Sequence, residues 1–541
     1  MRSMVEGRAE SDCPSTTLRV VPLPMLRMGR MREQEPPIPV PYGDESSSVR
    51  SKAMKMRALF ALSVSLAAIA SVADAPATAQ SRTRSLSESS TATAAKQHPE
   101  IVAEFGGEEN EARSAYVRQV GARVAAQSNI AGGGNAFHIT TLNSPVMNAF
   151  AVPGGYLYVT RQLVGLANDE AELASVLGHE AGHIAARHSS ERKRAGLLSQ
   201  LLAVGLGVVT GSSQLGNLAG QLTQTVVLSY SRKQELEADD LGVRYIAAAG
   251  YDPTASASFL NSLGAATSLE ARAVGRDDER ATPSWARSHP LSADRVARAT
   301  KTAQATGRAG TGVRNRDAFL AQIDGIMVDD DPKQGVIDGR TYTHPDLRLR
   351  FTVPSGYGMQ NGTRAVSIVG QSGQAQFAGG RFSGDLGAYI GQVFRSIAGQ
   401  NAQLSYTQPR GSTINGIDAA YSTARVATQS GQVDLTVVAY RWDSDTAYHF
   451  AMITPAGSGL GPFAAMVQSL GRISAAEAAA IRPRVIDVVT VGPRDTVATL
   501  AGRMAYNDYK EERFRVLNGL GSGAAVRPGQ KVKIVVYGTR A

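Results

Sequence analysis

His179-Glu180-Ala181-Gly182-His183 is the stretch on which the reading of this chain turns. It is an HExxH pentad inside a segment with helical character. Two histidines four apart share one helix face, so both rings reach a single metal ion. The glutamate beside the first histidine can then take a proton from a water activated at that ion. The pentad occurs by chance in long chains, so its surroundings decide its weight. Asp169 stands three before Glu172, the signature of a capped helix start. The pattern carries that helix to about Arg194.

A catalytic zinc needs a third protein ligand and one open position. A third histidine ten residues after the first, with glycine at seven, is excluded because Ser189 and Ala186 stand there. His188, nine after His179, falls on the opposite side of a continuing helix, as a surface histidine or one behind the ligands. The remaining option is a carboxylate from a second helix, placed by its pattern at Gln221 to Ala249 and closed by Gly250 and Pro253. There Glu235 and Asp239 are four apart and share a face, while Glu237 points away toward solvent. Glu235 can ligate, and Asp239 can accept the spare ring N–H of a ligating histidine. Acidic helix faces are usually just solvated, so spacing alone leaves Glu235 open.

Three motifs occur in order: Asn148-Ala149-Phe150-Ala151-Val152-Pro153-Gly154-Gly155-Tyr156, then His179-Glu180-x-x-His183, then Ser231-Arg232-x-x-Glu235-x-Glu237-Ala238-Asp239-x-x-Gly242. Together they resemble the HtpX/BepA/Ste-type zinc peptidases, gluzincins with a glutamate third ligand, over roughly residues 95 to 305. The resemblance implies one Zn2+ per chain on His179, His183 and Glu235. It implies Glu180 as general base and Asp239 as the carboxylate behind the ligands. It also makes Asn148, Ala149, Phe150 and Ala151 an edge strand that pairs with substrate backbone. Ser288-His289-Pro290-Leu291 with Arg295 is similar to a further element of periplasmic members, in which the histidine approaches the metal. His289 is thereby implied as a regulator of access, or else as a structural turn histidine. Arg295 and His289 are also candidate oxyanion donors.

The rest of the chain frames this domain. At 541 residues, 43% hydrophobic and 19% charged, it suits several folded domains. A dispersed net charge of +9 gives no nucleic-acid-binding signature. Lys55-Met56-Arg57, the apolar run Ala58 to Val72 and Ala77-Thr78-Ala79 read as a secretory signal peptide cleaved after Ala79. The apolar run is short of the roughly 20 residues of a membrane span; an uncleaved anchor is the alternative. Residues 1–53 then precede the true start, and the single cysteine, Cys13, falls among them. Thiol catalysis and disulfides are excluded from the mature chain.

The expected order is a flexible lead-in at 80–96, the zinc peptidase domain at 97–305, a linker at 306–339, an α+β domain at 340–475 and a small module at 485–538. Leu197 to Val209 and the glycine- and serine-containing stretch after it read as a mobile flap, a surface hairpin touching a membrane peripherally, or an internal core helix. Phe351-Thr352-Val353-Pro354-Ser355-Gly356-Tyr357 resembles the opening of small modules of the PsbP/Mog-like group. His344 and His449 lack ligand spacing.

Val488 to Val497, Phe514 to Leu520 and Val526 to Val532 give the order strand, helix, helix, strand. This resembles a LysM-type βααβ module, departing from that pattern at Pro493-Arg494, and it implies binding to glycans of peptidoglycan. The fold class is therefore multidomain α+β: a mainly helical zincin domain with a small edge-strand sheet, an α+β domain and a βααβ module.

The function so expected is that of a periplasmic zinc endopeptidase acting on unfolded or misassembled envelope proteins. The rivals are a peptidoglycan-tethered binding protein without catalysis, and a hydrolase of peptidoglycan peptides.

Overall fold

The computed structural model describes residues 83–188, 230–273, 289, 293–370, 372–398, 404–428 and 431–539. The segment read as a signal peptide, the Leu197 to Val209 segment and the neighbours of His289 lie outside them. Among the described residues, no helix is long and apolar enough to cross a membrane.

The chain enters through α1 (Glu88–Glu104) and α2 (Glu111–Ala125). Residues 88–96, expected as flexible lead-in, instead open α1. Ser87 caps this helix, and Ala94 and Ile101 bury its inner face. Three short strands follow, β1 (His138–Leu142), β2 (Ala149–Val152) and β3 (Tyr156–Thr160), in the order β1-β3-β2. β1 runs parallel to β3 and β2 antiparallel, with the turn at Pro-Gly-Gly as expected. Phe150 and Tyr158 stack across the pair at 4.8 Å and pack beneath α1.

After α3 (Arg161–Leu166) comes α4 (Glu170–Ala185), which carries the pentad and is buried along its whole length. Its N-cap is Asp169, whose side chain accepts the Glu172 N–H at 2.9 Å. α5 (Arg232–Ala248) and α6 (Ala255–Ala273) pack against it, and α7 (Ala293–Ala305) packs on those two. α4 ends earlier than its pattern suggested, and α5 starts later, because Ser231 caps it with a full capping box. α4 and α5 cross at small residues. A Cβ at Gly242 would lie 2.9 Å from the His179 nitrogen, and one at Gly182 would lie 3.2 Å from the Ala238 carbonyl. This close approach brings ligands from two helices to one point.

The stretch expected as a linker is folded. α8 (Arg316–Ile323) buries Phe319, Leu320 and Ile323 in the peptidase core, and β4 (Met327–Val328) joins a sheet. Next comes the middle domain. One sheet runs β5 (Val336–Asp338), β6 (Thr341–His344) and β7 (Leu349–Thr352). The larger one holds β8 (Gly358–Asn361), β9 (Ala365–Gly370), β10 (Gly373–Arg381), β11 (Arg410–Ile414), β12 (Ile417–Thr428), β13 (Gly431–Arg441) and β14 (Thr446–Pro455).

Side chains alternate across the larger sheet. On β14, Tyr448, Phe450 and Met452 face an aromatic core shared with Phe351 and Phe377. Ala447, Ala451 and Ile453 face the helix Leu386–Ala398. His449 takes that second face and its Nδ1 lies 2.9 Å from the Tyr389 hydroxyl, while His344 Nδ1 accepts the Leu347 N–H. Both are structural.

The last module has the expected order. A strand (Arg484–Thr490), two helices (Val497–Gly502 and Lys510–Leu517) and a strand (Lys531–Tyr537) follow one another, with the two strands antiparallel. It is no separate bead on the chain. Its first strand also pairs with β4, Val328 opposite Arg484. Ile486, Leu500, Phe514 and Ile534 belong to the same apolar core as Leu173, Leu177 and Phe319. Lys533, fully buried, donates to the carbonyls of Gly165, Leu166 and Ala167 at 2.7–3.0 Å, capping the C-terminus of α3.

Candidate metal centre

His179 and His183 lie one turn apart on α4, and their Nε2 atoms approach to 3.0 Å. α5 presents Glu235 to them, its oxygens 3.6 Å from His179 Nε2 and 3.5 Å from His183 Nε2. His289 closes the group, with Nδ1 3.0 and 3.1 Å from the two Glu235 oxygens and 3.3 Å from His179 Nε2. All four residues are buried, and one potential ligand atom from each lies within 4.8 Å of the others. Among the described residues no other His, Cys, Asp or Glu group converges in this way. Lone pairs gathered so tightly repel one another unless a cation or shared protons sit among them. Nitrogen and carboxylate oxygen at this spacing are donors that suit zinc.

Burial shapes the protonation of each group. Burial alone would raise the Glu235 carboxyl, but the facing His289, His183 and His179 rings hold it well below the usual range. Burial pushes His183 far below an ordinary histidine, toward the neutral ring that a metal requires. Glu180 shifts the other way. Burial raises its carboxyl, and neither oxygen has a hydrogen-bond partner among the described residues. Its Oε1 stands 3.6 Å from His289 Nε2. A buried carboxylate with open hydrogen-bond positions beside a set of metal donors is placed to receive a proton.

Each pentad histidine is held from behind. His179 Nδ1 lies 2.9 Å from Asp239 Oδ1. Asp239 accepts two parallel bonds from Arg295, both 2.7 Å. Burial opposes its ionisation, but those bonds bring Asp239 down to about 2. Arg295, named as an oxyanion candidate, instead spends its guanidinium on Asp239 and on Glu235 at 3.0 Å. It orders these two carboxylates.

His183 leans on His188, with Nδ1 to Nδ1 at 2.9 Å. The opposite-side expectation for His188 fails because α4 stops. Arg187 adopts φ +59, the left-handed region. The Arg187 N–H then bonds Ile184 O and the His188 N–H bonds His183 O, each at 3.1 Å. This reversal swings His188 back under His183, and its Nε2 reaches the exposed Glu237 at 3.5 Å. Tyr230, which the motif reading passed over, stacks on the His183 ring at 3.6 Å. Its only sequence signal is its place next to Ser231.

Asn148 to Ala151 lie where the edge strand was expected. Among the described strands β2 has one neighbour, β3. Thr160 fixes the Asn148 backbone through both its hydroxyl and its N–H, and Asn148 Oδ1 is buried without a hydrogen-bond partner among the described residues.

Residues 111–303 match the family described as peptidase family M48. The chain carries an M48 peptidase domain. This family is zinc-dependent, in keeping with the donor set just described.

The mitochondrial metalloendopeptidase OMA1 of Arabidopsis thaliana is 34% identical over 132 residues, 24% of this chain and 26% of that protein. The beta-barrel assembly-enhancing protease of Escherichia coli strain K12 is 29% identical over 157 residues, 27% of this chain and 32% of that protein. OMA1 of Schizosaccharomyces pombe is 29% identical over 211 residues, 38% of this chain and 58% of that protein. Each of these three matches spans less than two thirds of the relative. The M48 match ends before β4, so the middle domain and the last module lie beyond it.

Proposed function

We propose that this chain is a zinc endopeptidase that cleaves misfolded or misassembled proteins of the cell envelope, on the periplasmic side. The observation that carries the reading is Glu180, buried and without a hydrogen-bond partner among the described residues, beside a converging His179, His183, Glu235 set. A zinc ion held by those three residues would acidify a water and polarise the scissile carbonyl. Glu180 takes the proton of the attacking water on a carboxylate oxygen and returns it to the departing nitrogen. Asp239, tied by Arg295, keeps His179 in the tautomer whose Nε2 faces the site. β2 pairs with the substrate backbone from Asn148 to Ala151, which aligns the scissile bond. His289 holds the fourth position at rest and has to move before substrate enters. The substrate class follows the relatives named for β-barrel assembly.

The same His289 favours a second reading. A site closed by four protein ligands is structural, which would suit an envelope binding protein. Zinc content and cleavage of an unfolded protein separate the two, measured on the parent, Glu180→Gln and His289→Ala. One zinc per chain, with cleavage lost by about 10³-fold or more in Glu180→Gln, supports the peptidase. A gain in His289→Ala adds the resting state. Zinc without cleavage in any variant, across several unfolded substrates, favours the binding protein.

A further inference from the structure

A cleft of about 750 Å³ opens where the peptidase domain, the middle domain and the last module meet. It begins where β2 begins. Pro145, Val146 and Met147 line it, and the next residue, Asn148, leads into the edge strand.

Its chemistry is one-sided. Five carboxylates line it: Asp329, Asp330, Asp338, Asp508 and Glu270. Among the described lining residues the opposing cations are Arg484, 3.4 Å from Asp329 and 3.6 Å from Asp338, and Arg513, 3.0 Å from Asp508, so the lining stays net acidic. Asp329 stands in the left-handed region at φ 57, fixed there by the Gln162 side chain on its N–H and by Tyr506 on its carboxylate. Met147, Leu166, Met359 and Val535 supply apolar walls. The carboxylates here do not converge within metal-ligand distance, so they suit an organic cation better than a metal ion.

We infer that this cleft is an exosite for a lysine or arginine side chain of the polypeptide that pairs with β2, its stem along the apolar wall and its head among the carboxylates. The inference rests on the peptidase reading for the path of the substrate. A strand advances about 3.3 Å per residue, so a chain leaving β2 past Asn148 reaches the cleft within a few residues.

The test uses the full chain carrying Glu180→Gln and fluorescent peptides of one frame. Lysine or norleucine is walked from about the third to the eighth residue on either side of the cleavage point, a range set by that strand rise. At one position lysine should bind about tenfold tighter than norleucine, a difference expected of one desolvated charge pair. The ratio should fall toward one in Asp338→Asn/Asp508→Asn. Both side chains are half or more exposed, and zinc content and melting temperature check the fold of that variant. A ratio near one at every position, or one unchanged in the double variant, overturns the exosite. Cleavage by the parent is scored separately. Cleavage without a lysine preference removes the exosite and leaves the peptidase. A lysine preference without cleavage supports the cleft and counts against the peptidase.

Discussion

The middle domain and the last module both follow the peptidase domain in sequence, yet they are attached to it in opposite ways. The middle domain carries its own cores, one around Phe351, Phe377 and Phe450, the other under the helix Leu386–Ala398. It departs after β4 and returns at Arg484, and those two points are paired neighbours in one sheet. The whole domain thus hangs from what would otherwise be a hairpin. The last module has no core apart from that of the peptidase, and its Lys533 is sealed beneath α3. Order along the chain therefore says little about dependence: the more distant segment is the integral one.

The strongest challenge to this contrast is truncation before Arg484. It removes the partner of β4, strips Ile486, Phe514 and Ile534 from the shared core, and leaves three α3 carbonyls uncapped. We expect loss of cooperative unfolding for the peptidase domain and loss of tight zinc binding, read by circular dichroism and metal titration. A truncated chain that melts and binds zinc like the parent would dissolve the contrast.

Phe450→Ala comes next. The ring is fully buried against Phe351 and Phe377, and its loss should cost the middle domain about 3–5 kcal/mol. Zinc affinity should stay at the parent value, and calorimetry should show the middle domain melting ahead of the rest. A single transition moving as a whole would mean the two regions fold as one.

Asp330, at the point where the middle domain departs, gives a smaller and pH-dependent effect. Burial pushes its carboxyl up to about 6. The folded chain then keeps a proton that the unfolded chain releases above about 4, so this contribution is present at pH 4 and lost as pH rises through 6. Asp330→Asn should remove that slope. Relative to the parent it should gain on the order of 2 kcal/mol between pH 4 and 7.5 in urea unfolding. Equal differences at both pH values would refute the assignment.

The smallest effect is the most diagnostic. Replacing residues 331–482 with a short Gly/Ser turn should leave the peptidase domain folded, with zinc affinity within a few-fold of the parent. Any lysine preference in substrate binding should vanish with the cleft wall. Collapse of the metal site in this variant would show that the middle domain is as integral as the module after it.

The metal centre was largely legible in the sequence because its logic is local. One helix turn sets the spacing of His179 and His183, another sets Glu235 and Asp239, and β2 announces itself through alternation and a Pro-Gly-Gly turn. His188 stands behind the ligands, one of its two expected places, but on the other side of the helix than expected, because its position depends on a left-handed Arg187 and nothing in Ala-Ala-Arg-His signals a stop where glycine would have. Arg295 was seen, but its bonds to Asp239 and Glu235 were not, since only packing brings those carboxylates to it. The structured stretch at 306–339 was missed for want of length: α8 is eight residues and β4 is two. The strand order of the last module was readable, but its docking was not, because a lysine in a strand gives no sign that it will be buried.

Lys533 also sets a schedule. It reaches the Ala167 carbonyl across 366 residues of sequence. Contacts between such distant segments form late, since the loop between them has to close first. A chain emerging from N- to C-terminus displays the zinc pentad long before the strand that seals its core exists. The domain that would cut other proteins is thus completed only once the chain has been made as far as Lys533.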